Sequence, residues 1–210
     1  MAVVSQPCQK QSNVPLPGDL DAELGEFWVG SPFDIFREHN LSSFERNRTY
    51  LNVKGDGFLD VSFLSGADID SDGRSVLALD IRNRGRLDLV LRQAGGGSIR
   101  IFENRLPTAN YLKVSLRGTK SNKLGIGAKL VAHVAGRQIV RELYPINSYR
   151  SQMPADIHFG LAQATEVDRL VIYWPSGATQ ELVELPANRH LVIEEGLSAF
   201  TELMPPVENE

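Results

Sequence analysis

Residues 111–116, Tyr-Leu-Lys-Val-Ser-Leu, alternate cleanly. Leu112, Val114 and Leu116 fall on one side, and Lys113, Ser115 and Arg117 on the other. Successive side chains of a strand point to opposite faces, so this period of two reads as a strand with one face on a core and one on water. Six further runs of strand length follow it: AKLVAHVA, RQIVREL, DIHFGL, RLVIYW, TQELVEL and HLVIEE. Seven short strands at a spacing of roughly 10 to 15 residues predict an antiparallel β-sandwich or partly open barrel over residues 107–200.

Upstream, YLNV, SVLAL, LDLVLR and SIRIF also have strand length and aliphatic content. Gly55-Asp56-Gly57, Asp72-Gly73, Arg84-Gly85 and Gly95-Gly96-Gly97 punctuate them as tight turns. They make a second β part over residues 44–106, with the boundary between Arg105 and Thr108. Ahead of it, Ser31-Pro32-Phe33-Asp34 is a helix start: serine caps, proline takes the first helical position, and an acid follows three residues after the cap. The resulting short helix ends near Asn40, within a lead-in over 18–43. Residues 1–17 are polar and proline-containing, and are expected to form a disordered arm. The acidic, proline-broken tail over 201–210 is expected to fray.

Bulk properties narrow the function classes. A formal net charge of −4 argues against a general affinity for nucleic acid or anionic membranes. No apolar run approaches the ~20 residues of a membrane helix. The single cysteine, Cys8, cannot form an internal disulfide. The N-terminus lacks a basic segment ahead of an apolar one, so it does not read as a signal peptide.

Both β parts carry motifs of known families. FLDVSFLSGAD, followed by DGRSVLALDIRNRGRLDLVL and IFEN, resembles an FG-GAP or VCBS-type repeat, the blade unit of integrin-like β-propellers. Asn110-Tyr111-Leu112, Gly125-Ile126-Gly127-Ala128, Tyr149-Arg150-Ser151-Gln152, His158-Phe159-Gly160-Leu161 and Trp174-Pro175-Ser176-Gly177 together resemble the ASPIC/UnbV domain. That domain commonly closes propeller proteins similar to cartilage acidic protein, so the chain is similar to the C-terminal part of such an architecture. The resemblance implies a propeller-blade-like repeat packed on the C-terminal β domain, and a place outside the cytoplasm. It supplies no catalytic residues.

Within the repeat, Asp68-x-Asp70-x-Asp72-Gly73 has the first half of a calcium loop, with acids at positions 1, 3 and 5 and glycine at 6. Val76 stands at position 9, so a late ligand is lacking and any calcium site there is expected to be weak and structural. A solvated acidic turn is the plain alternative. Asp80-x-Arg82-x-Arg84-Gly85-x-x-Asp88 has the same frame with arginines at positions 3 and 5. Guanidinium offers no acceptor and cannot hold a metal, but it can pair with Asp80 or Asp88 in the metal's place.

Other patterns carry less. The arginines over 82–100 are interleaved with acids and lack an aromatic RNA-binding motif, which weighs against nucleic acid. Gly125-x-Gly127 has Leu130 where a dinucleotide loop needs a third small residue, and a strand follows it. Ser151, His158 and Asp168 have the residue types of a hydrolase triad but no nucleophile elbow. Trp174 ends an apolar run, so core packing is its default reading.

The leading expectation is a non-catalytic extracytoplasmic binding or assembly module of a mainly β protein, with a protein or carbohydrate partner. The alternative is an accessory protein or enzyme of secondary metabolism, because the resemblance associates the family name with enediyne biosynthesis. A pocket built from Tyr149, Gln152, His158 and Trp174 would favour it.

Overall fold

A computed structural model describes residues 46–53, 55–69, 73–93, 98–146, 148 and 151–203. The expected arm and N-terminal helix lie outside them, as do Asp70, Asp72 and Tyr149. The chain divides into two compact units, residues 1–74 with 92–98, and residues 75–91 with 99–210. Most of the β3–β4 segment therefore clusters with the C-terminal strands.

In the first unit, β1 (Tyr50–Asn52) and β2 (Phe58–Asp60) form an antiparallel hairpin in register Leu51↔Leu59. Its turn closes when Asn52 Oδ1 accepts the Gly55 N–H at 2.8 Å. The single turn α1 (Ser62–Ser65) follows, stopped by Gly66 in the left-handed region that glycine enters without strain. Asp60 fixes it by accepting the Ser62 N–H at 2.9 Å and the Ser62 hydroxyl. That hydroxyl in turn accepts the Thr49 N–H.

The second unit is a sandwich of two four-stranded sheets, with β6 (Asn110–Arg117), β7 (Lys129–Val134), β8 (Arg137–Glu142), β9 (Asp156–Ala162), β10 (Glu166–Tyr173), β11 (Thr179–Pro186), β12 (Arg189–Glu194) and β13 (Phe200–Glu202). One sheet runs β11-β10-β7-β8, the other β13-β12-β6-β9. The alternation that identified β6 decides its packing. Leu112, Val114 and Leu116 are buried, and join Leu130, Ala132 and Val134 of β7, Phe159 of β9, Ile172 of β10 and Leu191 of β12 in one core.

Three features depart from the expected plan. The β6–β12 ladder is parallel, in register Val114↔Leu191, whereas the other described ladders of the two four-stranded sheets are antiparallel. The tail does not fray at Thr201: β13 pairs with β12, and Arg189 Nε lies 3.0 Å from Glu202. An exposed β12 edge would leave open backbone donors and acceptors, and the short added strand uses them. Finally, β3 (Gly73–Leu79), β4 (Asp88–Gln93) and β5 (Arg100–Phe102) make a separate three-stranded sheet in the order β3-β4-β5.

Candidate functional site

The β3–β4 connection is built around its charges. Asp80 accepts the N–H groups of Arg84 at 2.8 Å and Gly85 at 2.7 Å, so its carboxylate closes the turn. Arg84 reaches Asp88 at 3.4 Å and Glu103 at 2.9 Å, and Arg82 reaches Glu103 at 3.2 Å. Asp88 is 3% exposed and also accepts the Asn104 N–H at 2.8 Å. Hydrogen bonding from Arg84, then the charge of Arg82, holds the Glu103 carboxyl below its ordinary range. The sequence frame placed the arginines and Asp88 together. Glu103 sat in plain view in IFEN, but its role needs the β4–β5 pairing Leu89↔Phe102 that brings it alongside.

The loop rests on an aromatic stack. Gly85 has φ +74°, and a Cβ there would stand 2.0 Å from the Tyr111 ring. Tyr111 stacks on His158 with centroids 5.7 Å apart and planes at 7°. Gly85→Ala is therefore expected to cost about 1–3 kcal/mol through backbone strain, and to push Tyr111 off His158. Equilibrium unfolding checks the first effect. The near-ultraviolet dichroism of the tyrosine checks the second, and an unchanged signal would show that the ring has room.

Beside this stack lies a cavity of about 490 Å³. Its apolar wall includes Leu79, Ile81, Leu87, Leu143, Met153 and Ile157. Volumes of roughly 300–1,000 Å³ with apolar walls and few polar groups are typical of small-ligand sites. Lys113, Asp156 and His158, on the outer face of the β6–β9 pair, border the same space. Lys113 Nζ sits 2.9 Å from Asp156. Burial lowers the His158 pKa against the opposing pull of Asp80, and Arg141 and Lys113 lower it further.

Next to Asp156, Ser115 Oγ lies 2.5 Å from Asp156 Oδ1 and 2.7 Å from His190 Nε2. This trio has triad residue types, and its order is wrong for nucleophilic catalysis. Burial, then Lys113, lowers the His190 pKa against the opposing pull of Asp156. Ser115 Oγ donates its proton to Asp156 Oδ1, so its oxygen faces His190 Nε2 as an acceptor. In a working triad the imidazole accepts that proton and the carboxylate orients the imidazole. Here the three side chains tie β6 to β9 and β12.

The remaining predicted site residues do not converge on the cavity. Trp174 is buried at 4% exposure in the core, and its Nε1 donates to Gln180 at 2.9 Å. Gln152 is exposed and bridges to Ile146. Asp168, on β10 of the other sheet, caps the Ala135 N–H at 3.0 Å. In the first unit, Arg46 holds both carboxylate oxygens of Asp68, at 2.9 and 3.2 Å. A cation at Asp68 would have to displace this guanidinium.

A second polar centre has no signature in the sequence. Glu195 is 5% exposed, and its Oε2 accepts three consecutive N–H groups, those of Thr119, Lys120 and Ser121, at 2.7–2.9 Å. Its Oε1 accepts the hydroxyls of Ser121 and Ser176. Ser176 belongs to the Trp-Pro-Ser-Gly turn, so that motif serves to fasten two loops to one carboxylate. No spacing rule in the sequence links residues 75 positions apart.

No curated protein matches the chain. Residues 118–199 match the family model described as ASPIC and UnbV. The match starts just after β6, which lies between β12 and β9 in the second sheet, and takes in the Thr119–Ser121 loop, His158, the Trp174 turn and Glu195. Over residues 118–199 the chain is therefore similar to the ASPIC/UnbV domain.

Proposed function

We propose that the protein is a non-catalytic binding module, in which the sandwich is a rigid frame and the space between its outer face and the β3–β4 loop is the binding site. The observation that carries this reading is the state of the polar groups around the cavity. Asp80 closes a turn, Lys113 pairs with Asp156, and Ser115 gives its proton to a carboxylate. None is aimed at a reacting centre, which nucleophilic or acid–base chemistry requires. Trapping a bound small molecule and weighing it by mass spectrometry after long incubation tests this. Recovery unchanged is expected. A mass change lost in Ser115→Ala or His158→Gln would put the enzyme reading in its place.

The finer reading adds an FG-GAP/VCBS-like repeat over residues 44–106, an extracytoplasmic location and an assembly role with a protein or carbohydrate partner. Exposed apolar residues support assembly: Phe58 at 72%, Phe63 at 87% and Leu64 at 82%. Such a cluster within a few residues marks contact surfaces more often than scattered apolar side chains do. Weak structural calcium at Asp68, Asp70 and Asp72 belongs to the same reading, and rests on their spacing. Because Arg46 competes for Asp68, Arg46→Ala is expected to enlarge the rise in melting temperature given by millimolar calcium. Midpoints indifferent to calcium in both proteins would leave an acidic turn with no ion.

A further inference from the structure

We infer that the cavity beside the β3–β4 loop takes an apolar-bodied monocarboxylic acid whose head group pairs with Arg141. The inference rests on the binding-module reading and deepens it. An occupant must match the walls, and these are aliphatic: Leu79, Ile81, Leu87, Leu143 and Ile157, with Met153. Methionine there is a soft, adaptable surface that suits a flexible apolar chain.

The charges then decide the head group. Three of those bordering the cavity already have partners: Asp80 has two backbone N–H groups, and Lys113 and Asp156 have each other. Arg141, on β8, is exposed and donates to the carbonyl of its own neighbour Val140 at 2.9 Å. Among the described residues no carboxylate pairs with it. A guanidinium presents its donors in a planar fork that matches a carboxylate, so Arg141 is the anchor at the mouth. Arg141 and Lys113 are the cavity's only cationic side chains among the described lining residues, and Lys113 is already paired, so one unpaired cation suits one carboxylate. His158 adds to this side of the cavity. Its Nδ1 is buried without a hydrogen-bond partner, a rare state for a buried polar atom, so the ring gains a bond if it turns toward a bound carboxylate.

The test is isothermal titration of the full chain with decanoate and, in parallel, with decanamide, its neutral equivalent. Saturable one-site binding of decanoate is expected, about tenfold tighter than decanamide, the size of one charge-assisted contact. Arg141→Gln, on an exposed edge strand, is expected to remove that difference while leaving decanamide affinity and the melting midpoint unchanged. Leu79→Trp is expected to fill the cavity and abolish binding of both. Equal affinity for acid and amide, or an acid preference that survives Arg141→Gln, overturns the carboxylate assignment and leaves the module reading standing. Failure of both probes to bind overturns the ligand class. Chemical conversion of bound decanoate would overturn the module reading instead.

Discussion

Phe159→Ala is expected to destabilise the second unit by about 3–5 kcal/mol, the usual cost of truncating a large buried aromatic. Among the described residues Phe159 is the largest fully buried side chain, at 0% exposure. It stands on β9 in register with Leu112 of β6, and the core around it draws on both sheets. Removing the ring loses its transfer free energy and leaves a hole that two sheets, each held by its own ladder, cannot collapse into. Phe63→Ala, at 87% exposure, is the control and is expected to stay within about 0.5 kcal/mol. Denaturant titration of both variants measures the difference. A Phe159→Ala cost below about 1 kcal/mol would mean that the sandwich core is looser than described.

The second large effect is expected at Glu195. Glu195→Ala strips the acceptor from three consecutive N–H groups and two hydroxyls, and unpaired buried donors lose hydrogen bonds that water does not replace. It is expected to lower the melting midpoint more than removal of an exposed acid such as Glu181. Glu195→Gln separates charge from shape. An amide can turn its oxygen to the N–H cluster and its nitrogen to the hydroxyls, so most of the packing is kept. Burial works against ionisation of Glu195, but the Ser121 N–H, the Ser176 hydroxyl and the Thr119 and Lys120 N–H groups outweigh it and bring the pKa from 4.5 to about 2.

A carboxyl whose folded pKa is depressed stabilises the fold above its unfolded pKa, and that contribution is lost as pH falls through the folded value. The gap in melting midpoint between parent and Glu195→Gln is therefore expected to be full above about pH 4.5 and to shrink toward pH 2. Asp60 and Glu103 are lowered as well, so both proteins keep some acid sensitivity. Only the gap between them isolates Glu195. A gap constant with pH would assign the carboxylate a packing role alone.

Amino-acid order alone locates the strands, because burial on one face imposes a period of two that each strand carries within its own few residues. Leu112, Val114 and Leu116 face the core, and Lys113 and Ser115 the outer side, as their alternation requires. It also determined that Arg82 and Arg84 cannot bind metal, since that follows from the guanidinium itself. Which segments meet is set only when the chain packs. The parallel β6–β12 pair, β13 on the edge of β12, and Glu103 beside Arg84 all join segments whose sequences hold no record of the pairing. Trp174 and His158 sit in similar apolar contexts along the chain. One went to the core and the other to the cavity wall, because the residue's face of the sheet, and what covers that face, is settled only when the sheets close.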